Sequence, residues 1–301
     1  MRLKTTLEQW QTLHYIDQAG SIQAAAQALN KSHTTLIYSV KKLEQQLGIE
    51  LIAIQGRRAV LTEHGKTLLR RADSMLEQAH ELEMISTQLS SGIESQITIS
   101  IDHLCNPCWL YQPMQCFLAD NSATSIQIVE TSLSKTTDMV VSEQADIAII
   151  NLPITNYPAE AFGTTTMVPV VASHHPLAGK ESLCLADFAT TCQIVVRDLG
   201  NSATNKRDVG WLKSRQRITV DNFDHALRAV EQGVGYCRLP MHMINERKNP
   251  NITVVNIEQS ERYQVSLHLT LPKGANTGPA AHAFYQLLRT NAQQRIYTRH
   301  T

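Results

Sequence analysis

No stretch of the chain approaches the roughly 18 uninterrupted apolar residues that a membrane helix needs. The opening Met1-Arg2-Leu3-Lys4-Thr5 also lacks the apolar core of a signal peptide. A soluble, cytoplasmic protein with no membrane partner is the expectation. Cysteine is scarce: positions 105, 108, 116, 184, 192 and 237 are too dispersed over 301 residues for a disulfide scaffold. Walker loop, GxSxG elbow, HExxH helix and dinucleotide fingerprint are all missing, and the twelve histidines have no metal-like spacing. The chain is therefore expected to be no enzyme and to carry neither metal nor cofactor.

Net charge is also absent overall, but its distribution is uneven. Residues 1–72 hold ten Lys/Arg against five Asp/Glu, an excess of five positive charges. Such asymmetry points to an anionic partner for the N-terminal part. Within it, Thr6 and Gln9 have capping-box spacing, Leu7, Trp10, Leu13 and Ile16 fall on one helical face, and Gly20 supplies a stop. Ser21 caps a second, alanine-rich helix, and Asn30 suits a left-handed turn. Ser32 caps a third helix to about Leu47, with Leu36, Val40, Leu43 and Leu47 on its buried face and Gly48 at its end.

Two short helices around a tight turn, the second polar at its start and basic further on, match a helix-turn-helix. Its free face carries His33, Thr34, Thr35, Tyr38, Lys41 and Lys42, with Ser21, Gln23 and Ser32 at the helix starts as further candidates for DNA contact. The runs 51–54 and 57–61, separated by Gln55-Gly56, form a candidate wing with Arg57 and Arg58 beside its tip, placed for a minor groove or the phosphate backbone.

The run Ser21-Ile22-Gln23-Ala24-Ala25-Ala26-Gln27-Ala28-Leu29, then Lys42-Leu43-Glu44-Gln45-Gln46-Leu47-Gly48 and Leu61-Thr62-Glu63-His64-Gly65, resembles the helix-turn-helix signature of the LysR-type transcription regulators. The chain departs from that pattern at Ile37, Tyr38, Ile52 and Ile54, departures that bear on the operator sequence and not on the fold. The resemblance implies a winged helix-turn-helix (1–61), a linker helix that pairs between subunits (62–91), and an effector-binding domain (92–301). That domain would be two-lobed α/β of the periplasmic-binding-protein kind, with lobe one at 92–163 and 267–301 and lobe two at 164–266. The expected partners are double-stranded DNA at a pseudo-palindromic promoter site, a small-molecule effector, a second copy in a homodimer or homotetramer, and RNA polymerase.

The residues themselves support such a division. Leu68, Met75, Leu82 and Leu89 recur every seven positions, with Ala72, Ala79 and Ser86 between them, on a run free of Pro and Gly from 66 to 91. That is the seam of a dimeric coiled coil, although a stripe of this kind also suits a helix packed on its own domain. Beyond Gly92, strands at 97–101, 126–130 and 146–151 alternate with helices near 109–119 and 135–143, as in a largely parallel sheet. A second series follows, with strands at 167–172, 193–196, 218–220 and 235–239 and a helix at 224–231; a strand at 265–271 and a helix at 280–288 return to the first lobe.

In open α/β folds ligands sit at strand ends and helix N-termini. That rule selects Asp102, His103, Leu104, Cys105 and Asn106 after the first strand, Thr131, Ser132 and Ser134 after the second, and Asn151 after the third. In the second lobe it selects Arg197, Asp198, Asn201, Ser202 and Asn222. Leu104 and Leu133 stand where carboxylate-binding members of the family often have Ser or Thr, which implies a more apolar pocket. Cys105-Asn106-Pro107-Cys108 has CxxC spacing at a helix start, where the helix dipole lowers a thiol pKa, so Cys105 and Cys108 are redox candidates. A different reading of the whole chain stays open: a cytoplasmic small-ligand-binding protein whose basic N-terminus is a protein-interaction module.

Overall fold

The computed structural model describes residues 3–55, 58–200, 214–258 and 262–298. They divide into two compact units, Met1–Gln88 and Leu89–Thr301.

The first unit begins with α1 (Leu7–Ala19), α2 (Ile22–Ala28) and α3 (His33–Leu47). Thr6 and Gln9 form the reciprocal capping box, Ser21 and Ser32 accept from the backbone of Ala24 and Thr35, and Gly20 and Gly48 close their helices with φ of 65° and 74°. Leu36, Val40 and Leu43 are buried while Leu47 is only partly covered. A hairpin of β1 (Ile52–Gln55) and β2 (Arg58–Leu61) follows, with Gln55 paired to Arg58. That register corrects the expected turn by one residue: Gln55 is the last strand position, and Gly56 and Arg57 lie between the strands, outside the described residues. Leu51 precedes the strand and is fully buried.

The linker helix α4 spans Glu63–Ser90. Its stripe splits in two. Ala72 and the neighbouring Leu69 are buried with Trp10, Leu13, Leu43, Leu51 and Leu61 of the same chain, and Leu68 and Leu76 pack on that cluster. Met75, Leu82 and Leu89 are exposed instead, Leu82 by 67%. The start of the seam is thus core of the head, and its later turns are bare.

The second unit is built on one seven-stranded sheet. Strands β3 (Gln96–Asp102), β4 (Ser125–Thr131) and β5 (Ile147–Ile150) run parallel in the order β4-β3-β5, linked by α5 (Cys108–Asp120) and α6 (Ser134–Val141). Alternation decides the two faces: Ile147 and Ile149 join the main core with Phe117 of α5, while Ala148 and Ile150 pack with Val140 of α6.

The long β6 (Ala159–Ala172) then runs through both lobes. A short pair, β7 (Gln193–Val196) and β8 (Arg217–Val220), precedes α7 (Phe223–Glu231), β9 (Cys237–Pro240), α8 (Met241–Arg247) and β10 (Ile252–Val254). Residues 159–167 of β6 pair antiparallel with β11 (Tyr263–Thr270), and 167–172 pair with β9 and β10. The first-lobe sheet is therefore mixed rather than largely parallel, with β11 and β6 antiparallel beside three parallel strands. In this ladder Gly163 faces Leu267 and Thr164 faces Ser266. Helix α9 (Pro279–Thr298) returns against α5, its first amides at Ala280 and Ala281 bonded to the Glu94 carboxylate at 2.9 and 3.1 Å.

Candidate functional sites

The head presents one polar face. Ser32 Oγ lies 2.9 and 2.7 Å from the Thr34 and Thr35 hydroxyls and accepts from Thr35 N, so the first turn of α3 is a pre-organised hydroxyl cluster. His33, Thr34, Thr35, Tyr38, Lys41 and Lys42 are all exposed, and the Lys42 ammonium stands 6.0 Å from the Tyr38 ring centre. Glu44, the acidic residue on the same helix, is turned away: its carboxylate accepts from Leu51 N at 2.7 Å and Ile52 N at 3.1 Å. The exposed face is left basic, and α3 is tied to the hairpin. Gln23 and Arg58 are exposed beside it; Ser21 is occupied as a cap, and Arg57 lies outside the described residues.

In the second unit a cavity opens where the lobes meet at β6. His103, Leu104, Leu133 and Asn151 line it from the first lobe, Gln193, Ile194, Val195, Val196, Phe223, Cys237 and Arg238 from the second, with Met167 and Tyr263 at the crossing. It is narrow, about 80 Å³, and mainly apolar. Of the expected cleft residues, then, His103, Leu104 and Asn151 reach it. Leu133 adopts φ 41°, a left-handed backbone that a branched side chain seldom takes, and its amide reaches the Asp102 carboxylate at 3.3 Å.

The other expected effector contacts are turned to each other or to neighbours. Asp102 is fully buried and accepts from Leu104 N at 3.0 Å and Thr136 Oγ1 at 3.3 Å; burial, opposed by these bonds, pushes its pKa up to about 6. His103 stacks edge-on against Phe223, ring centres 4.7 Å apart, with Nδ1 lacking a hydrogen-bond partner among the described residues. Loss of water around it lowers its pKa to about 4, so the imidazole is neutral. Thr131 bonds Ile101 O and Thr136, Asn106 bonds Glu246 at 2.9 Å, and Asn222 caps α7 by accepting from His225 N. Arg197 is exposed and paired with Asp221 at 2.5 Å. Ser132, Ser134 and Asp198 bond across the lobes. Asn201 and Ser202 lie outside the described residues.

The family described as bacterial regulatory helix-turn-helix protein, lysR family, matches residues 7–66, and the LysR substrate binding domain matches residues 90–293. The chain belongs to the LysR family. It is a transcriptional regulator with a helix-turn-helix that binds DNA and a substrate-binding domain for a small effector. Among relatives of this LysR-family regulator, the uncharacterized HTH-type transcriptional regulator YeeY of Escherichia coli strain K12 is 28% identical over 80% of this chain and 79% of its own. The RuBisCO operon transcriptional regulator of Allochromatium vinosum is 23% identical over 96% and 97%. The full-length LysG of Corynebacterium glutamicum shares the fold with a TM-score of 0.51, at 18% identity over 96% of this chain and 98% of its own.

Cys105 is buried in the core three residues before α5, and burial pushes its thiol well up. Cys108, at the first residue of α5, is also shifted upward, by partial desolvation and then by Glu246. Both thiols are thus raised, by burial at Cys105 and by desolvation and the Glu246 carboxylate at Cys108, opposite to the direction that a helix start alone predicts.

Sequence reasoning missed Gln193, Phe223, Arg238, Met167 and Tyr263 as cavity lining. Strand β7 was legible, and its side chains could have been nominated by the same strand-end rule. Arg238, its guanidinium 5.3 Å from the Tyr263 ring centre, carried no local signal.

Proposed function

We propose that this LysR-family regulator acts as a cytoplasmic homodimer, assembling further into a tetramer, whose paired heads read two half-sites of a pseudo-palindromic promoter. It catalyses no reaction. The observation that carries this reading is the face of α3, where the Ser32, Thr34 and Thr35 hydroxyls and His33 precede Tyr38, Lys41 and Lys42, all exposed with the nearby carboxylate of Glu44 tied inward. The hydroxyls and imidazole suit base edges, and the lysines suit phosphates. Arg57 and Arg58 extend the contact into the adjacent groove. Dimerisation is supported by the bare later turns of α4, since exposed Leu82, Leu89 and Met75 at heptad spacing favour a partner helix.

The narrow cavity at His103, Leu104, Leu133, Asn151, Gln193 and Phe223 is the effector site in this reading. A ligand there touches both lobes, so it shifts their relative populations and, through the dimer, the spacing of the heads and their contact with RNA polymerase. Footprinting on the DNA flanking its own gene, at several salt concentrations, tests the proposal. A long interrupted site is expected, with an affinity that falls steeply as salt rises. Changing Lys41 and Lys42 to Ala should lower the salt slope by about one per lost phosphate contact. No protection on that DNA or on a genomic fragment library would favour the ligand-binding reading with a basic protein-interaction module.

A further inference from the structure

The middle of α3 carries an aromatic ring on a face that is otherwise polar. Tyr38 is 67% exposed, while Leu36, Val40 and Leu43 of the same helix are buried. One turn before it stand the hydroxyls of Thr34 and Thr35, and one turn after it the ammonium groups of Lys41 and Lys42, all exposed. The ring therefore lies between the turn that suits base edges and the turn that suits phosphates. Long side chains on a helix lean toward its N-terminus, so the Tyr38 ring covers the turn of Thr34 and Thr35. Lys42 leans back in the same way, its ammonium 6.0 Å from the ring centre. The one carboxylate of α3, on Glu44, is bonded to Leu51 N and does not draw Lys42 away. A ring restrained by its neighbour gives up little freedom on binding.

We infer that Tyr38 is a specificity-determining residue, which selects a thymine in each half-site by packing its ring on the 5-methyl group. The inference rests on the reading of α3 as the base-facing helix. In the major groove every base pair presents hydrogen-bond donors and acceptors, and the apolar feature among them is the thymine methyl. A phosphate is met by charged and hydroxyl groups, which Lys41 and Lys42 already supply one turn further on. The ring is thus left with the methyl as the surface it can dehydrate at a gain. Tyr38 is also a position at which this chain departs from the pattern of its family, so the preference belongs to this regulator.

Selection of bound duplexes by the full-length protein, from a library with a long random central segment, tests this by sequencing. Wild type and Tyr38→Phe should enrich one motif with a thymine at a fixed place in each half-site. Tyr38→Ala should lose the preference at that place and keep the rest of the motif. Replacing that thymine by uracil in the selected duplex removes only the methyl group. Wild-type affinity, read by anisotropy, should then fall about fourfold for each half-site, the factor that one buried methyl is worth, and Tyr38→Ala should not respond. The inference is overturned by uracil bound as tightly as thymine, by Tyr38→Phe behaving as Tyr38→Ala, or by a loss in Tyr38→Ala that is equal at every sequence. A motif that shifts in His33→Ala but not in Tyr38→Ala removes the inference alone and leaves α3 as the reading helix. A folded wild type that enriches no motif overturns both.

Discussion

Replacing Gly65 by Ala sets two effects of opposite sign against each other. Gly65 lies in the first turn of α4, its amide bonded to Thr62 Oγ1 at 3.0 Å. In an open helix the change would stabilise by about 1 kcal/mol, because alanine loses less backbone freedom. Here a Cβ would sit 2.2 Å from the carbonyl oxygen of Leu51 and 3.1 Å from its carbon. That oxygen is backbone, it accepts from Thr62 N at 3.0 Å, and Leu51 is itself fully buried with its amide on Glu44. It cannot swing aside like a side-chain end. Overpacking costs roughly 1–3 kcal/mol, and a weakened Leu51–Thr62 bond adds about 1. The net loss is on the order of 1–3 kcal/mol, a fall of about 4–8 °C per kcal/mol in the melting of a head this size. DNA affinity should fall with it, since Leu51 opens the hairpin that carries Arg58. Gly179, with nothing within 4 Å of its would-be Cβ among the described residues, is the control, and Gly179→Ala should stay within about 0.5 kcal/mol. Melting followed by circular dichroism, with binding by anisotropy, decides it. A Gly65→Ala protein that melts at or above the wild type and binds DNA equally well refutes the steric argument.

Leu82→Glu should leave the fold intact, because the side chain is 67% exposed, yet shift sedimentation toward monomer and weaken DNA binding; an unchanged sedimentation coefficient would count against the seam. The pH response of the cleft divides between two neighbours. His103, lowered from 6.5 to about 4, contributes stability that is complete above 6.5 and lost as pH falls to 4. Asp102, raised from 3.8 to about 6, contributes stability that is complete below 3.8 and lost as pH rises through 6. The two oppose each other, so Asp102→Asn should lose up to about 3 kcal/mol relative to wild type on going from pH 6 to pH 4 in urea titrations, and a constant difference would refute the assignment. Cys105 should resist thiol reagents in the folded protein until it is denatured, and Cys105→Ser with Cys108→Ser should leave the response to peroxide unchanged. Rapid labelling of Cys105 at neutral pH would restore the redox reading.

What was legible in the chain depended on how far each interaction reaches along it. The caps at Thr6, Ser21, Ser32 and Gly48 are settled within four residues, and each appears where its sequence signal lies. The strands at 97–101 and 193–196 and the cavity position of Leu104 followed from alternation and the strand-end rule. The first half of β6 did not, because Ala159–Thr166 is short of apolar residues and becomes a strand only by pairing with β11 about a hundred residues later. Helix α8 and strand β10 are too short to carry a period. Asp198 shows the same limit at the site. Its place at a strand end was readable, but its partner Ser134 stands 64 residues away in the other lobe, and no local pattern pairs the two. The heptad stripe of α4 is ambiguous for a related reason: a period of seven specifies a covered face but not whose surface covers it. Ala72 and Leu69 find theirs in the same head, whereas Leu82 and Leu89 find none among the described residues, so the period runs on past the surface that its own head supplies.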